Sequence, residues 1–215
     1  MAFDVQQFRA SLAADGARSS LFEVQLVFPG LATTGLTAGG AGGVTTPEQQ
    51  VTFKARATSL PGDSINSITV NYFGREIKVA GTRTFPDWTI TVINDEDFII
   101  RNAFEKWMSR MNEHVANVRN PAFLRGDGGY QSTVTVKQFS KTGAAQGPTL
   151  ASPINTGVIK RYDLIGAFPT DVSPIELDWG ADTIEEFTVT FAYQWWESRA
   201  PVPTTDLSSS TTPIV

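Results

Sequence analysis

The feature that most constrains the fold is the stretch from Phe53 to Met111, in which a period of two gives way to a helical period. Apolar and polar residues alternate in three segments, separated by turn residues at 60–63 and 73–75. Alternation buries one side of a strand, whereas apolar residues recurring every three or four positions form one face of a helix. The stretch therefore predicts strands followed by one amphipathic helix that packs on them.

The predicted helix, Asp97–Asn112, has two distinct faces. Its apolar face consists of Ile100, Ala103, Phe104, Trp107, Met108 and Met111. The opposite face carries Arg101, Glu105 and Arg110, and we expect this face to meet solvent or a partner. The polar and acidic residues Asn94–Asp97 are predicted to accept the free backbone N–H groups at the start of the helix.

A β-hairpin is predicted on either side of Gly74. Ile65–Tyr72 and Glu76–Ala80 have extended patterns, and Phe73-Gly74-Arg75 lies between them. Gly74 can supply the positive φ that the turn needs, and Gly81 is predicted to close the hairpin. Branched and aromatic residues lie on both sides of the turn. A two-stranded ribbon is only marginally stable alone, so we expect a neighbouring molecule to order it.

Alternation elsewhere predicts further strands. They are Leu21–Phe28, Val51–Ala57, Trp88–Ile93, Ser132–Phe139, Gly157–Leu164, Ile175–Trp179 and Phe187–Trp195. A short helix capped by Asp4 and turns over Gly166–Pro174 complete the pattern. These elements predict an all-β fold: a single β-barrel or sandwich domain over residues 1–197, with one main amphipathic helix packed on it and an extended β-hairpin.

Three segments consist mainly of small and polar residues, and they carry too little apolar surface to fold alone. Residues 31–50 and 141–156 are rich in Gly, Ala, Thr and Pro, and they are predicted to be flexible insertions. Residues 198–215 are predicted to form a low-complexity C-terminal tail.

Composition excludes several classes of protein. No apolar run reaches the roughly 18 residues that a membrane span needs, and the N-terminus lacks the apolar core of a signal peptide. The chain has no cysteine, which fits assembly in a reducing cytoplasm. Its 17 Lys and Arg stand against 22 Asp and Glu, a net charge of −5. The chain therefore has no overall attraction for nucleic acid.

Candidate catalytic and metal-binding groups lack partners at useful spacing. The chain's one histidine, His114, cannot by itself build a zinc site or a Ser-His-Asp triad. The run Gly39–Gly43 lacks the Lys-Ser/Thr ending of a phosphate-binding loop. Trp195 and Trp196 are adjacent on a predicted strand and so face opposite sides, which favours Trp196 as an exposed contact residue. No catalytic, metal or cofactor site is predicted.

Several motifs resemble those of a known family, and they occur in the family's order. They are Leu60-Pro61, Val79-Ala80-Gly81, Thr84-Phe85-Pro86-Asp87-Trp88-Thr89, Phe168-Pro169-Thr170 and Leu177-Asp178-Trp179. Through them the chain resembles the tail tube proteins of T-even-like contractile phages. The resemblance covers residues 15–112 and 130–197, and the segments 31–50 and 141–156 look longer than the family's usual short form.

The resemblance implies a structural protein of the virion tail that is assembled in the host cytoplasm. Hexameric rings would stack head to tail into a hollow tube inside a contractile sheath, an architecture shared by the type VI tube protein and by tailocins. The tube would also meet baseplate and tail terminator proteins. DNA would pass through its lumen without specific binding, because a basic lumen would hold DNA and stall its ejection.

Other functions remain open at this point. A baseplate tube initiator or a tail terminator would belong to the same machinery but would stop at one ring. A carbohydrate-binding β-sandwich module could use Trp179, Trp195 or Trp196 for stacking on sugars. An enzyme is a remote third alternative, for want of an assembled acid–base or nucleophilic group.

Three surfaces are predicted for a tube subunit. The ring-to-ring contact is assigned to the hairpin residues Ile65, Tyr72, Phe73, Gly74, Arg75, Glu76 and Lys78. The lumen is assigned to the small uncharged face of the last strand, Thr188, Thr190, Ala192 and Gln194, with contact to a neighbouring subunit as the alternative. The helix surface of Arg101, Glu105 and Arg110 is the third.

Overall fold

The computed structural model describes residues 5–11, 16–33, 36, 46–113, 121, 129–141 and 157–199. The helices are α1 Val5–Ser11, α2 Gly30–Thr33, α3 Pro47–Lys54 and α4 Ile99–Met111. The strands are β1 Phe22–Leu26, β2 Ala55–Thr58, β3 Ser64–Tyr72, β4 Arg75–Thr84, β5 Trp88–Ile93, β6 Ser132–Phe139, β7 Val158–Val172, β8 Glu186–Ala192 and β9 Trp195–Arg199. The prediction of an all-β fold with one main helix and an extended hairpin is confirmed.

The strands form two sheets. Seven strands share one sheet, in the order β1-β6-β7-β8-β5-β2, with β9 paired to β7. The hairpin strands β3 and β4 pair only with each other among the described strands. None of the described helices is long and apolar enough to cross a lipid bilayer.

The chain divides into two compact units. The first comprises Met1–Glu23, Val136–Tyr162 and Ser198–Val215, and the second comprises Val24–Thr135 and Asp163–Glu197. Within the first unit, Lys137 Nζ lies 3.2 Å from Glu23 Oε1. The second unit contains the hairpin, α4 and the aromatic core.

One face of β5 and β8 supplies the core of the second unit. In the antiparallel register Trp88 lies opposite Phe191, and Val92 lies opposite Phe187. All four side chains are buried. The predicted alternation of both strands is therefore confirmed, since every second residue points into this core.

Helix α4 covers that face of the sheet. The Phe104 ring lies 5.8 Å from the Phe191 ring and 5.0 Å from the Phe28 ring, and the Trp107 ring lies 6.3 Å from Phe191. The Trp107 indole Nε1 donates to the Tyr130 carbonyl oxygen at 2.8 Å, so its one polar atom is satisfied inside the core. The prediction that the apolar helix face packs on the sheet is confirmed.

The start of α4 differs from the prediction. Residues 95–97 do not cap it: the N-cap is Phe98, in a left-handed conformation with φ of 50°, and it forms no side-chain cap hydrogen bond. Asp95 instead pairs with Lys54, and Asn94 Nδ2 donates to Glu185 Oε2 at 2.8 Å. These side chains tie the approach to α4 to neighbouring elements, which local sequence cannot reveal.

Helix α3 replaces part of a predicted insertion and part of a predicted strand. Residues 47–50 were expected to be flexible and Val51–Ala57 to be extended. Both expectations are wrong as far as residue 54, since the helix runs from Pro47 to Lys54, whereas residues 55–57 are extended as predicted, in β2. Thr46 and Gln49 form a capping box through hydrogen bonds of 3.4 and 3.5 Å, and proline is favoured in the first turn. Residues 37–45 and 142–156 lie outside the described residues.

Strand β7 is longer than predicted. Turns were expected over Gly166–Pro174, but the strand continues to Val172. Gly166 takes a positive φ of 67°, and the register with β8 shifts between Pro169 and Asp171. A bulge is where a strand accepts a proline, because the ladder is already interrupted there.

Two C-terminal predictions also fail. The alternating run Ile175–Trp179 is not a strand, because a tight turn forms instead: Gly180 N donates to Asp178 Oδ1 at 2.9 Å. The last predicted strand is interrupted after Ala192 and resumes as β9, which takes in Ser198 and Arg199 of the predicted tail. Residues 200–215 lie outside the described residues, as do Asp4 and His114.

Candidate assembly surfaces

The hairpin, Ser64–Thr84, turns through Phe73 and Gly74. Both residues have positive φ, 45° and 78°. Positive φ at both central positions of a two-residue turn is the type I′ geometry, whose twist matches that of the strands it joins. The prediction that Gly74 supplies a positive φ to the turn is confirmed. The prediction that Gly81 closes the hairpin is wrong, because β4 continues to Thr84.

Gly81 instead lies in a bulge. The pairing steps from Ser67 opposite Ala80 to Ile65 opposite Arg83, which places one extra residue on β4. A Cβ at Gly81 would lie 2.9 Å from the Asn66 carbonyl oxygen. Glycine is therefore needed for close backbone approach.

The hairpin has an apolar face and a polar face. The apolar face is built from the cross-strand pairs Ile68 with Val79, Val70 with Ile77 and Tyr72 with Arg75. The polar face is built from Thr69 with Lys78 and Asn71 with Glu76. The five apolar side chains are each about half exposed, and Phe73 at the turn is 92% exposed. The hairpin thus presents a ladder of branched and aromatic side chains that the described part of the subunit leaves uncovered.

A cation anchors the base of the hairpin. Arg83 Nε lies 2.5 Å from Asp63 Oδ2. Its guanidinium carbon also lies 5.1 Å from the centre of the Phe85 ring and 5.8 Å from that of Trp196. Contact with both rings adds cation–π attraction to the ion pair. These contacts fix the point at which the hairpin leaves the sheet.

Two aromatic donors strengthen the same base. Trp196 Nε1 and the Tyr193 hydroxyl donate to the Gly62 carbonyl oxygen at 3.3 and 3.4 Å. Burial, with a smaller contribution from the charges of Asp63 and Asp87, raises the pKa of Tyr193 and keeps it a donor. The expectation that Trp196 is exposed is wrong, since Trp195, at 46% exposure, is the more exposed of the two.

The sheet face opposite the aromatic core is small and polar. We call the set Thr89, Thr91, Thr188 and Thr190 the threonine stripe. Thr91 lies opposite Thr188 and Thr89 opposite Thr190, and the first pair has hydroxyl oxygens 3.5 Å apart. Ala192 continues the stripe, and Gln194 is exposed beyond the end of β8.

The charged face of α4 is unequal along its length. Arg101 is only 19% exposed: its Nε lies 2.9 Å from Glu105 Oε1 and its Nη1 donates to the Ser173 carbonyl oxygen at 3.2 Å. The same guanidinium lies 5.4 Å from the Phe187 ring centre. Glu105 and Arg110 are exposed. Arg101 thus packs within its own subunit, and Arg110 is the freer cation of the predicted surface.

A third exposed region follows β7. We call residues 173–185 the Trp179 loop; its exposed large apolar side chains are Leu177, Trp179 and Ile184. Trp179 is fully exposed, although the turn at Asp178 fixes the backbone beside it. The sequence predicted a strand here, and the Asp178 and Gly180 turn residues were the signal that could have corrected it.

Comparison with known proteins identifies the family to which this chain belongs. A family model described as phage tail tube protein matches residues 17–199. The chain belongs to the phage tail tube protein family. Tail tube protein gp19 of Enterobacteria phage T4 is 31% identical over 190 residues, which are 88% of this chain and 96% of that protein. Tail tube protein gp19 of Enterobacteria phage T6 is 30% identical over the same shares of the two chains.

A solved structure shares the fold of this tail tube protein. It is a chain of the six-fold symmetrised cryo-EM structure of the anti-feeding prophage baseplate, with a TM-score of 0.53 and 12% identity. The match covers 86% of the tail tube protein and 95% of that chain. The family match confirms the resemblance seen in the motifs. Tail tube proteins are structural components of the virion.

The structure groups the predicted site residues of the tail tube protein into separate surfaces. The seven hairpin residues share one ribbon, with Ile65 near its base and Tyr72–Lys78 around its tip. The threonine stripe and α4 lie on opposite faces of the β5–β8 pair. Within the described residues, no group of three or more His, Asp or Glu side chains could hold a metal ion.

Proposed function

We propose that this tail tube protein is a non-enzymatic subunit whose hexameric rings stack head to tail into the hollow tube of a contractile tail. The tube conducts DNA during ejection and is assembled in the host cytoplasm, where it meets sheath, baseplate and terminator proteins. The apolar face of the hairpin carries the proposal. The described part of the subunit leaves this face uncovered, and burying it on another molecule would stabilise an assembly.

The hairpin's contribution can be scaled from its side chains. Completing the burial of a half-exposed branched or aromatic side chain is worth on the order of 1 kcal/mol. Five such side chains lie on the apolar face of each copy. A ring presents one hairpin per subunit, and contacts made together add avidity that a single contact lacks. Weak contacts per subunit thus suffice for a stable stack.

The stacking contact is heterologous. A projecting ribbon on one subunit meets a different surface on the next, and such a contact does not close on itself but continues into a filament. This distinguishes a tube subunit from a protein that makes a single ring.

Variants matched by face test the stacking role. Val70→Thr with Ile77→Thr removes apolar surface from the ladder, whereas Asn71→Ser with Glu76→Gln changes only the polar face. We expect electron micrographs of the first variant to show rings or monomers and those of the second to show long tubes. Deletion of Asn71–Lys78 should also abolish long tubes. Tubes of normal length from the apolar-face variant would contradict the proposal.

The threonine stripe, with Gln194 beyond it, is our candidate for the lumen surface. Small uncharged side chains offer no cation to bind phosphate, so DNA would slide past them. Replacing Thr190 and Gln194 with Lys should allow tubes to assemble but slow DNA release from virions, and the defect should ease as salt is raised. If these lysines prevented ring formation, the stripe would be a contact between subunits instead.

A further inference from the structure

Two regions of the second unit hold most of its exposed large apolar side chains. One is the hairpin, and the other is the Trp179 loop. Tryptophan is the side chain most enriched at the energetic centres of protein interfaces. A fully exposed Trp179 beside a hydrogen-bonded turn is thus poorly explained by the needs of an isolated subunit.

The two regions carry opposite charge. The Trp179 loop has four acidic residues and no Lys or Arg; Glu176, Asp178 and Asp182 are exposed, and Glu185 accepts a hydrogen bond from Asn94. The hairpin has three cations and one acid, and its exposed cations Arg75 and Lys78 lie near the turn. Complementary charge favours the correct pairing of two surfaces and opposes pairing of either surface with itself.

The two regions also leave the sheet at opposite ends. The hairpin leads into β5 at Trp88, which pairs with Phe191 near the end of β8. The Trp179 loop leads into β8 at Glu186, which pairs with Ile93 at the end of β5. About six residues of extended strand, roughly 20 Å, separate these two ends. Opposite ends are where head-to-tail stacking requires complementary surfaces.

We propose that the Trp179 loop of one copy receives the hairpin tip of the next copy along the tube. Trp179, Leu177 and Ile184 cover the apolar face of the ribbon around Tyr72 and Phe73. Arg75 at the tip lies against the acidic residues of the loop, close enough to the indole for a cation–π contact, and Lys78 reaches them around the edge of the ribbon from its polar face. This inference rests on the proposed stacking of rings and adds the surface that accepts the hairpin.

Cross-linking tests the contact directly, because the natural chain has no cysteine. Glu76→Cys on the hairpin and Ala181→Cys on the loop place thiols beside the contact while keeping its aromatic side chains. A short bismaleimide is suitable, since a direct disulfide needs Cα atoms within about 7 Å. Assembled tubes of the double variant should give a ladder of linked chains. A mixture of the two single variants should give dimers and no ladder.

Glu113→Cys is a matched control at an exposed position after α4. Its mixture with Glu76→Cys should give no dimers. Tubes in which Glu76→Cys and Ala181→Cys never cross-link would overturn the inference while leaving the proposed function intact. If the natural chain formed no tubes under any condition, the proposed function would fail and this inference with it.

Charge exchange supplies an independent readout. Arg75→Glu with Lys78→Glu should abolish sedimenting tubes, and so should Glu176→Lys with Asp182→Lys, which leaves the Asp178 turn intact. The four changes combined restore opposite charges and should restore tubes. Glu113→Lys, at an exposed position after α4 that belongs to none of the candidate surfaces, should assemble normally. A combined variant that stays as defective as either pair would show that the two surfaces do not meet.

Discussion

Helix α4 and the hairpin are both amphipathic, but among the residues that the structure describes only the helix is covered by its own subunit. Phe104 and Trp107 are completely buried against Phe28 and the sheet. The hairpin pairs Val70 with Ile77 in an equally regular ladder, yet about half of each side chain remains exposed. An apolar face in a sequence thus identifies an element that needs a cover, but the cover can lie in the same chain or in another molecule.

Truncating the helix anchor should give the largest effect. Trp107→Ala removes a fully buried ring and leaves the Tyr130 carbonyl oxygen without its donor, so we expect a loss of about 3–5 kcal/mol in the free energy of unfolding. Denaturant titration measures it. The hairpin variant Val70→Thr with Ile77→Thr should change the same quantity by less than about 1 kcal/mol, because its side chains are exposed. If both variants lost the same free energy of unfolding, the hairpin would be packed within the subunit as closely as the helix, which would contradict the comparison.

Two arginines on the helix should differ by a smaller amount. Arg101 packs on the Phe187 ring and donates to the Ser173 carbonyl oxygen, so Arg101→Gln should cost about 1–2 kcal/mol. Arg110 is exposed, so Arg110→Gln should stay within about 0.5 kcal/mol. Thermal unfolding of the pair gives the comparison. If Arg110→Gln proved as costly as Arg101→Gln, the helix surface would be more closely packed than the structure has it.

The smallest effect concerns the segment that leads into α4. The hydrogen bond from Lys54, followed by its charge, lowers the pKa of Asp95 below its ordinary value of 3.8. A carboxyl whose pKa is lower in the folded state stabilises the fold above its unfolded value, and this is lost as pH falls through the folded value. Asp95→Asn should therefore lower stability at neutral pH by at most about 1 kcal/mol, as expected for an exposed pair.

Thermal unfolding of Asp95→Asn and the natural chain should converge well below pH 3.8. A difference that persisted at about pH 2 would point to a role for Asp95 other than its charge. The variant Val70→Thr with Ile77→Thr removes no ionisable group. Its effect on assembly therefore serves as a reference that does not depend on the titration of Asp95.

Periodicity predicted the elements whose partners are regular. Trp88–Ile93, α4 and the hairpin follow from alternation or helical spacing, because each buries or presents one clear face. Ile175–Trp179 alternates equally well but pairs with none of the described strands, and the hydrogen bond to Asp178 favours a turn. Gly166 and Pro169 suggested turns, whereas a positive φ and a bulge keep them within β7. Whether such a segment forms a strand or a turn depends on pairing with a neighbouring strand, and local sequence pattern does not reveal that pairing.

The candidate surfaces could also be predicted only in part from the sequence. The tip residues of the hairpin follow from Gly74 and its flanking strands. The base cluster does not, because Asp63, Arg83, Tyr193 and Trp196 come from separate segments that only the fold brings together. Trp195 and Trp196 were expected to differ in exposure, and they do, but the contact with Gly62 determines which one is covered.

The bulge at Gly81 has a consequence for the subunit before it assembles. A flat ribbon with free edges is a template for indiscriminate pairing with other ribbons, which leads to aggregates. An extra residue on one strand increases the local twist and misaligns the backbone groups of that edge. We expect the twisted ribbon to resist edge-on pairing in a crowded cell, so that unassembled chains remain available for ordered growth.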